Sequence, residues 1–424
     1  MKIKSVLFKN KLIALIALAM AVMLIVSSCG SPPLVGTLDR SFGSNGIVTV
    51  DLGSNSDSFR SVLIQPDDKI VALGTVEGQT PILMRFYSDG NVDNTFGENG
   101  KLSINFGSKV SLQSDKYLIV AGSSRGSLAV ARYYIDGSGL DNTFGTDGVM
   151  LIPADPGDLS YFLSDIIIQP DKKIVVIGTA ESQGNTSYIA IARFTSEGIP
   201  DADFAVNGLK MMDEGDFPDS LYFRGEAVDI QTNEKIVLSA NMYDTDTVEQ
   251  IALARLMPNG SPDEANFGMN GHGTVTVTLR DFHSTEGGLA LQDDKSVVLG
   301  NIFNPKGDLA LARFTNNGSL DPGFGESGIV ITDLGEDEVG NDLVIQSDGK
   351  IVVVGTSTNA KGSDILIVHF TNNGSLNNTA GVNGVVITDL NNALDYGKSA
   401  ALQTDRKLVV AGSSNGDALL ARYW

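Results

Sequence analysis

Chemistry in this 424-residue chain would have to come from acids and aromatics gathered in a few irregular segments. The richest holds Asp213, Glu214, Asp216, Phe217, Asp219, Tyr222 and Phe223; others are Tyr243-Asp244, Asp281-Phe282-His283-Ser284 and Asp395-Tyr396. Aromatic faces stack on sugar rings, and clustered carboxylates attract cations or basic protein surfaces. The residues expected to form a binding surface are therefore Asp216, Phe217, Tyr222, Tyr243, Asp281, Phe282, His283 and Tyr396. Against this stands a plainer role, in which the acids keep a secreted protein soluble and the aromatics cap packed strands.

The catalytic inventory is thin. The histidines are His272, His283 and His369, and of these His283 alone falls in a variable segment. There is no phosphate loop, His-Glu-x-x-His helix or Cys/His metal spacing. Turns such as Asp89-Gly90-Asn91-Val92-Asp93 lack the spaced carboxylates and closing Glu of a Ca²⁺ loop. No catalytic residue, metal or cofactor is assigned. Two readings remain: a binding or scaffolding module, or a secreted polysaccharide hydrolase or lyase using loop carboxylates, which would need two acids roughly 5–10 Å apart in a cleft.

The formal charge is −21, and residues 1–28 carry four lysines and no acid, so the remainder stands at −25. A surface that acidic repels phosphate backbones, which excludes nucleic acid as a partner. Residues 1–11 are basic, Leu12–Val26 is a continuous apolar run, and small Ser27 and Ser28 precede Cys29, the one cysteine. That is the three-part pattern of a secretory leader. Val26-Ser27-Ser28-Cys29 resembles the bacterial lipobox, which implies a diacylglycerol on Cys29, a signal peptide over 1–28, a tether over 29–37 and a place in the bacterial cell envelope facing outside the cytoplasm. With no second thiol the body has no disulfide, and packing alone must hold it. A monomer is expected.

Those residues need a frame, and the frame is a repeat. Gln65, Gln113, Gln169, Gln231, Gln292, Gln346 and Gln403 each end an apolar run, and a turn with Asp and Lys follows. A second apolar run ends in Gly, a third in Ala-Arg-aromatic, and a polar stretch closes on Asp-x-x-Phe-Gly. Successive Gln lie from 48 (65 to 113) to 62 (169 to 231) residues apart, the length of a four-stranded unit. The runs are short, β-branched and bounded by Gly, Asp and Ser, and their lack of alternation implies strands covered on both faces. The chain opens with a fourth strand at Gly46–Leu52 and stops after a third at Trp424, so one strand at one end complements three at the other. Pairing them closes a ring and removes exposed edges. The expected fold is all-β, a seven-bladed β-propeller over 38–424 whose last blade is completed one-plus-three by the N-terminal strand. Loops from second to third and fourth to first strand vary most, and variable loops on a rigid scaffold carry function.

Arg85, Arg132, Arg193, Arg255 and Arg313 are each followed eight or nine residues later by Asp93, Asp141, Asp201, Asp263 and Asp321. Ion pairs across the third turn are expected. In the sixth unit both charges vanish together, as His369 and Asn377, and Ala380 replaces Phe. Arg422 has no downstream Asp, while Asp39 precedes the first fourth strand unmatched, so these two are expected to latch the ring. The seven units, for example Ile345-Gln346-Ser347-Asp348-Gly349-Lys350-Ile351 and Leu320-Asp321-Pro322-Gly323-Phe324-Gly325, resemble the delta-60 repeat family of bacterial surface and secreted proteins. That resemblance implies a propeller-like fold and no particular activity.

Overall fold

The apolar runs fold as strands of 3 (Lys101–Ser103) to 11 residues (Phe282–Gln292). In the computed structural model the described residues are 34–75, 80–153, 159–184, 186–217, 222–243, 250–268, 271–278, 282–303 and 306–424, the side chains at 243, 282–287 and 303 excepted. The strands form seven antiparallel four-stranded sheets, each ordered along the chain except the last. Blade 1 is Ser58–Ile64, Ile70–Thr75, Ile82–Phe86 and Lys101–Ser103. Blades 2 to 6 begin with inner strands Lys109–Ser114, Leu159–Ile168, Tyr222–Ile230, Phe282–Gln292 and Asp337–Ile345. Blade 7 takes Asp395–Leu402, Leu408–Ser414 and Asp417–Tyr423 from the C-terminus and Ile47–Val50 from the N-terminus. Ile47 stands opposite Ala421 and Val50 opposite Ala418. The all-β, seven-bladed propeller closed one-plus-three is the observed fold; the fourth strands are shorter than the sequence suggested, since Gly46 and residues 51–52 lie in turns.

Each joint between neighbouring blades holds its own apolar core, which is why the strands are apolar on both faces. Between blades 7 and 1, Val409, Ala411 and Leu420 pack on Phe59, Val62, Met84 and Phe86. Six further clusters fill the other joints. Burying one such Phe or Leu contributes roughly 1.5–3 kcal/mol, so the ring rests on many modest, similar terms.

The repeated polar residues tie these joints together. Arg85, Arg193 and Arg422 contact Asp93, Asp201 and Asp39 at 2.8, 2.7 and 2.7 Å, and the pairs Arg132–Asp141, Arg255–Asp263 and Arg313–Asp321 match them. Each guanidinium lies over the Phe of its own Phe-Gly element, as Arg313 does over Phe324 at 4.4 Å. Each also donates to a carbonyl in the next blade: Arg85 to Ile135, Arg132 to Ser196, Arg193 to Pro258, Arg255 to Asn316, Arg313 to Asn372 and Arg422 to Ser88. Gln113 and Gln403 extend the link through their amides, to Lys172 O and Asp68 O. These markers are scaffold. Blade 6 departs at all three positions at once, with buried His369, Asn377 and Ala380.

Candidate functional site

Five of the inner strands carry a bulge at one shared place, recorded as register shifts at Phe59/Ser61, Leu163/Asp165, Gly225/Ala227, Gly340/Asp342 and Gly397/Ser399. The glycine ending the second run makes three of these possible. A Cβ at Gly178, Gly355 or Gly412 would strike the carbonyl oxygen of Phe162, Val339 or Tyr396, so the inner strand can bow only past a bare backbone.

The residue at the bulge is turned toward the axis. Counting five back from each Gln gives Arg60, Ser108, Ser164, Glu226, Asn341 and Lys398, and all six line one central funnel of about 1320 Å³. Two positions earlier, Ser58, Phe162, Arg224 and Tyr396 line it too, as do Ser123, Thr179, Asn241 and Ser413 from second strands. The funnel opens among the fourth-to-first and second-to-third loops, the face where the units differ.

Just beneath, the side chains four before the Gln in blades 1, 3, 6 and 7 stitch blade to blade. Ser61 Oγ accepts from Val110 N at 3.2 Å, Asp165 from Val228 N at 3.1 Å and Asp342 from Ala400 N at 2.8 Å. Ser399 Oγ accepts from Val62 N at 3.3 Å and closes the belt. In blade 2 the clipped loop delays the inner strand, and the residue at this level, Lys109, reaches the funnel instead.

The funnel is cationic along one arc, from blade 7 through blade 1 to blade 2, where Lys398, Arg60 and Lys109 lie. Desolvation first, and then the neighbouring Arg60, hold the Lys398 ammonium below its ordinary range. Arg224 is matched by Glu226 at 3.2 Å, and Glu226 also accepts from Asn241 at 2.8 Å. Two aromatic faces are available: Phe162, 51% exposed, and Tyr396, with Lys398 Nζ 5.5 Å from its ring centre. Such a wall can hold an anion and stack a ring.

Of the residues expected from sequence, Tyr396 lines the funnel. Tyr222 is exposed at the start of its strand opposite Tyr243 and is not among the described funnel residues; the Tyr243 side chain lies outside the described set. Asp216 is committed to Lys210 at 3.3 Å, and its carbonyl accepts from Thr274. Phe217 has to be removed from the binding surface: it is fully buried in the core between blades 3 and 4, 6.0 Å from Phe223 ring to ring. Asp281 and Cys29 lie outside the described residues; Phe282 and His283 are placed in a strand opposite Ile302 and Asn301, with their side chains outside the described set. Arg60, Lys109 and Lys398 were missed and Phe162 was not singled out, although the units aligned on their Gln already show R, S, S, E, G, N and K at one position.

The family described as "Domain of unknown function (DUF5122) beta-propeller" matches residues 65–96, 169–204, 231–265, 291–324 and 346–379, five of the seven units. No curated protein matches the chain. Among solved structures it is similar to Drosophila Semaphorin 2a (TM-score 0.51, 10% identity, 92% of this chain and 76% of that one). It is also similar to virginiamycin B lyase from Staphylococcus aureus (TM-score 0.48, 10% identity, 89% and 99%) and to a protein of unknown function from Dyadobacter fermentans (TM-score 0.44, 11% identity, 92% and 96%). At such identities the likeness concerns the fold alone, whose bearers differ in role. The repeat matches and the ring of blades together support a propeller-repeat protein.

Proposed function

We propose that this protein is a lipid-anchored binding module of the bacterial cell envelope, of delta-60 repeat type, that takes an anionic saccharide into its axial funnel. The observation that carries the reading is the arc of Lys398, Arg60 and Lys109 beside Tyr396 in a funnel of about 1320 Å³, on a chain whose net charge is −21. Three cations gathered in the concave centre of so acidic a body are suited to carboxylate or sulfate groups, while Tyr396 and Phe162 offer ring faces to sugars. Anchorage follows from the leader and Cys29, whose short tether over 29–37 would hold the module near the membrane.

Binding without catalysis is the better reading of the acids present. Asp57 is the one fourth-to-first loop acid among the described funnel residues, and its oxygens are occupied by Leu52 N and by the Ser54 hydroxyl. Glu226 is committed to Arg224 and Asn241. Glu181, near the end of a second strand, is the remaining acid of the funnel, so no free pair of carboxylates converges there among the described residues.

Titration of the purified protein with uronate-containing and sulfated oligosaccharides, against neutral ones of equal length, tests the reading. The acidic series is expected to bind, and Arg60→Ala with Lys398→Ala to weaken it roughly tenfold or more while the fold is kept, since a charge-assisted contact is worth about 1.5–3 kcal/mol. Equal binding of neutral and acidic series, or indifference to both substitutions, would reject it. Globomycin-sensitive processing and lipid labelling at Cys29 test the anchor.

A further inference from the structure

At three consecutive joints the rim of the propeller carries the same trio of acids, drawn from the start of a third strand, the end of a fourth and the start of the next inner strand. They are Asp308, Asp333 and Glu338 between blades 5 and 6, Asp364, Asp389 and Asp395 between 6 and 7, and Asp417, Asp51 and Asp57 between 7 and 1. In each trio the carboxylate oxygens lie within 4.8 Å of one another, with one acid exposed, one half-buried and one buried. Equivalent positions elsewhere hold Ser127, Pro153 and Tyr161, or Tyr188, Asp213 and Phe223, so the propeller joint itself does not require acids.

The buried member of each trio has a structural duty, and this separates the three. Through one oxygen it caps the preceding loop, accepting from Leu52 N in Asp57, Leu334 N in Glu338 and Leu390 N in Asp395. Its other oxygen is also satisfied in two cases, by the Ser54 hydroxyl at 2.6 Å and by Glu336 N at 3.1 Å. Asp395 differs. No donor reaches its buried Oδ1 in hydrogen-bond geometry, and the Ser414 hydroxyl opposite it on the next strand only partly offsets the burial that raises this carboxyl. A buried carboxylate oxygen left without a well-placed donor is costly, by about 1–3 kcal/mol or more, and the charged groups gathered beside it are two more carboxylates. None of the three pairs with a cationic side chain among the described residues at ion-pair distance. Burial, then the charges of Asp389 and Asp395, push Asp364 up in spite of Lys361.

We propose that Asp364, Asp389 and Asp395 bind one divalent cation of the Ca²⁺ kind at the joint of blades 6 and 7. Oxygens on a shared Ca²⁺, each at ~2.3–2.6 Å, are at most about 5 Å apart, so the trio can close on the ion without rearranging the strands. Three carboxylates and no nitrogen or sulfur donor select a hard cation. The joint concerned is the one lacking an Arg staple, because blade 6 carries His369 there; the cation would tie together on the rim what the guanidinium ties in the other blades.

Isothermal titration of CaCl₂ into chelator-treated protein is expected to show one saturable site per chain and a higher melting temperature with Ca²⁺. Asp389→Asn, an exposed change that leaves the Asp395 cap intact, should weaken binding about tenfold or more through loss of one ligand charge. Asp51→Asn, in the trio whose buried acid is fully satisfied, should leave the site untouched. Absence of saturable Ca²⁺ binding, or loss that follows Asp51→Asn and ignores both Asp389→Asn and Asp395→Asn, overturns the proposal. None of these outcomes bears on saccharide binding in the funnel, so the two readings fail separately.

Discussion

Arg422 Nη2 lies 2.7 Å from Asp39 Oδ2, joining the two ends of the chain inside the third turn of blade 7. Both side chains are buried, and Lys407 Nζ adds a second cation at 3.2 Å. The same charge pairing recurs within single blades, where Arg193 and Lys173 both reach Asp201, although there Arg193 Nε donates to the carboxylate and at the latch Arg422 Nε has no hydrogen-bond partner. The latch is thus the ordinary joint of this propeller, made between distant residues instead of near ones.

Asp39→Ala leaves Arg422 buried without a counter-charge and half-buried Lys407 with Asp405 alone, which is expected to cost about 3–5 kcal/mol. Asp405→Ala, at the exposed pair with Lys407, should cost well under about 1 kcal/mol. Burial pushes the Asp39 carboxyl up, but Ser41, Lys407 and Arg422 outweigh it and hold the group down at about 2. Because that value is below the ordinary 3.8, this stability is complete above pH 3.8 and disappears as pH falls toward 2. Thermal melts of both variants across that range check it; equal melting temperatures would reject the latch.

Blade 6 offers a reciprocal experiment. His369 is buried, its Nε2 has no hydrogen-bond partner, and burial alone brings its pKa down to about 4, so it is neutral. His369→Arg alone places an unpaired charge beside Asn377 and should cost several kcal/mol, about 3 at least. Adding Asn377→Asp supplies the partner the other blades have, so the double variant should recover much of that loss. Denaturant unfolding of the four proteins in a double-mutant cycle measures the coupling, and strict additivity would show that the two positions do not pair.

Acid titration should reveal the opposite sign in the inner belt. Asp342 and Asp229 are each raised to about 6, chiefly by burial; Lys109 opposes this for Asp342, and Asp165 adds to it for Asp229. The folded state therefore holds these protons more tightly than the unfolded chain, and each group adds stability as pH drops from above 6 toward 3.8. His369 works the other way, since its lowered value makes acidification through 6.5 toward 4 unfavourable. Comparing each variant with its parent isolates one group. Relative to Asp342→Asn, the parent should gain on the order of 2 kcal/mol between pH 7.5 and 4.5, read from urea midpoints. A constant difference would exclude the raised carboxyl.

Strand number, closure and the Arg–Asp pairs were legible because each is written seven times or nearly so, and a departure such as His369 with Asn377 and Ala380 stands out against the rest. The funnel was less legible. Arg60 and Lys398 stand at the mixed polar entries to their apolar runs, where composition does not fix which way a side chain faces, and the bulge, permitted across the sheet by a glycine such as Gly412, turns them to the axis. Phe217 was misread for a related reason. It follows four loop residues rich in acids, yet the turn in which Phe217 N donates to Asp213 O folds the ring back beneath blade 4. Local composition reports whether a segment is loop or strand; which way one side chain faces is decided by contacts with the neighbouring blade.

The closing turn of blade 7 behaves as an intact turn with a piece removed. In blade 1, Tyr87 N donates to Asn91 O and Gly90 N to Tyr87 O, with Ser88 and Asp89 between. In blade 7, Trp424 N donates to Thr37 O at 2.9 Å and Gly36 N to Trp424 O at 2.7 Å. Gly36 packs on Val386 and Gly381 of blade 6 as Gly374 packs on Val330 and Phe324 of blade 5, and both have positive φ. Joining Trp424 to Gly36 through Ser-Asp should therefore rebuild the turn, and new ends can be opened at the equivalent bond, Asn259–Gly260. Pro258 and Asn259 would still present their carbonyls to Arg193 and Ala205. Because the number of free ends is unchanged and the break stays in an exposed turn, this permuted chain should fold and melt within a few degrees of its parent. The same opening without the Ser-Asp joint yields two fragments and lowers stability sharply by removing their effective concentration. A permuted chain that is insoluble or melts more than about 15 °C lower would show that the ends are held by something other than the repeated turn.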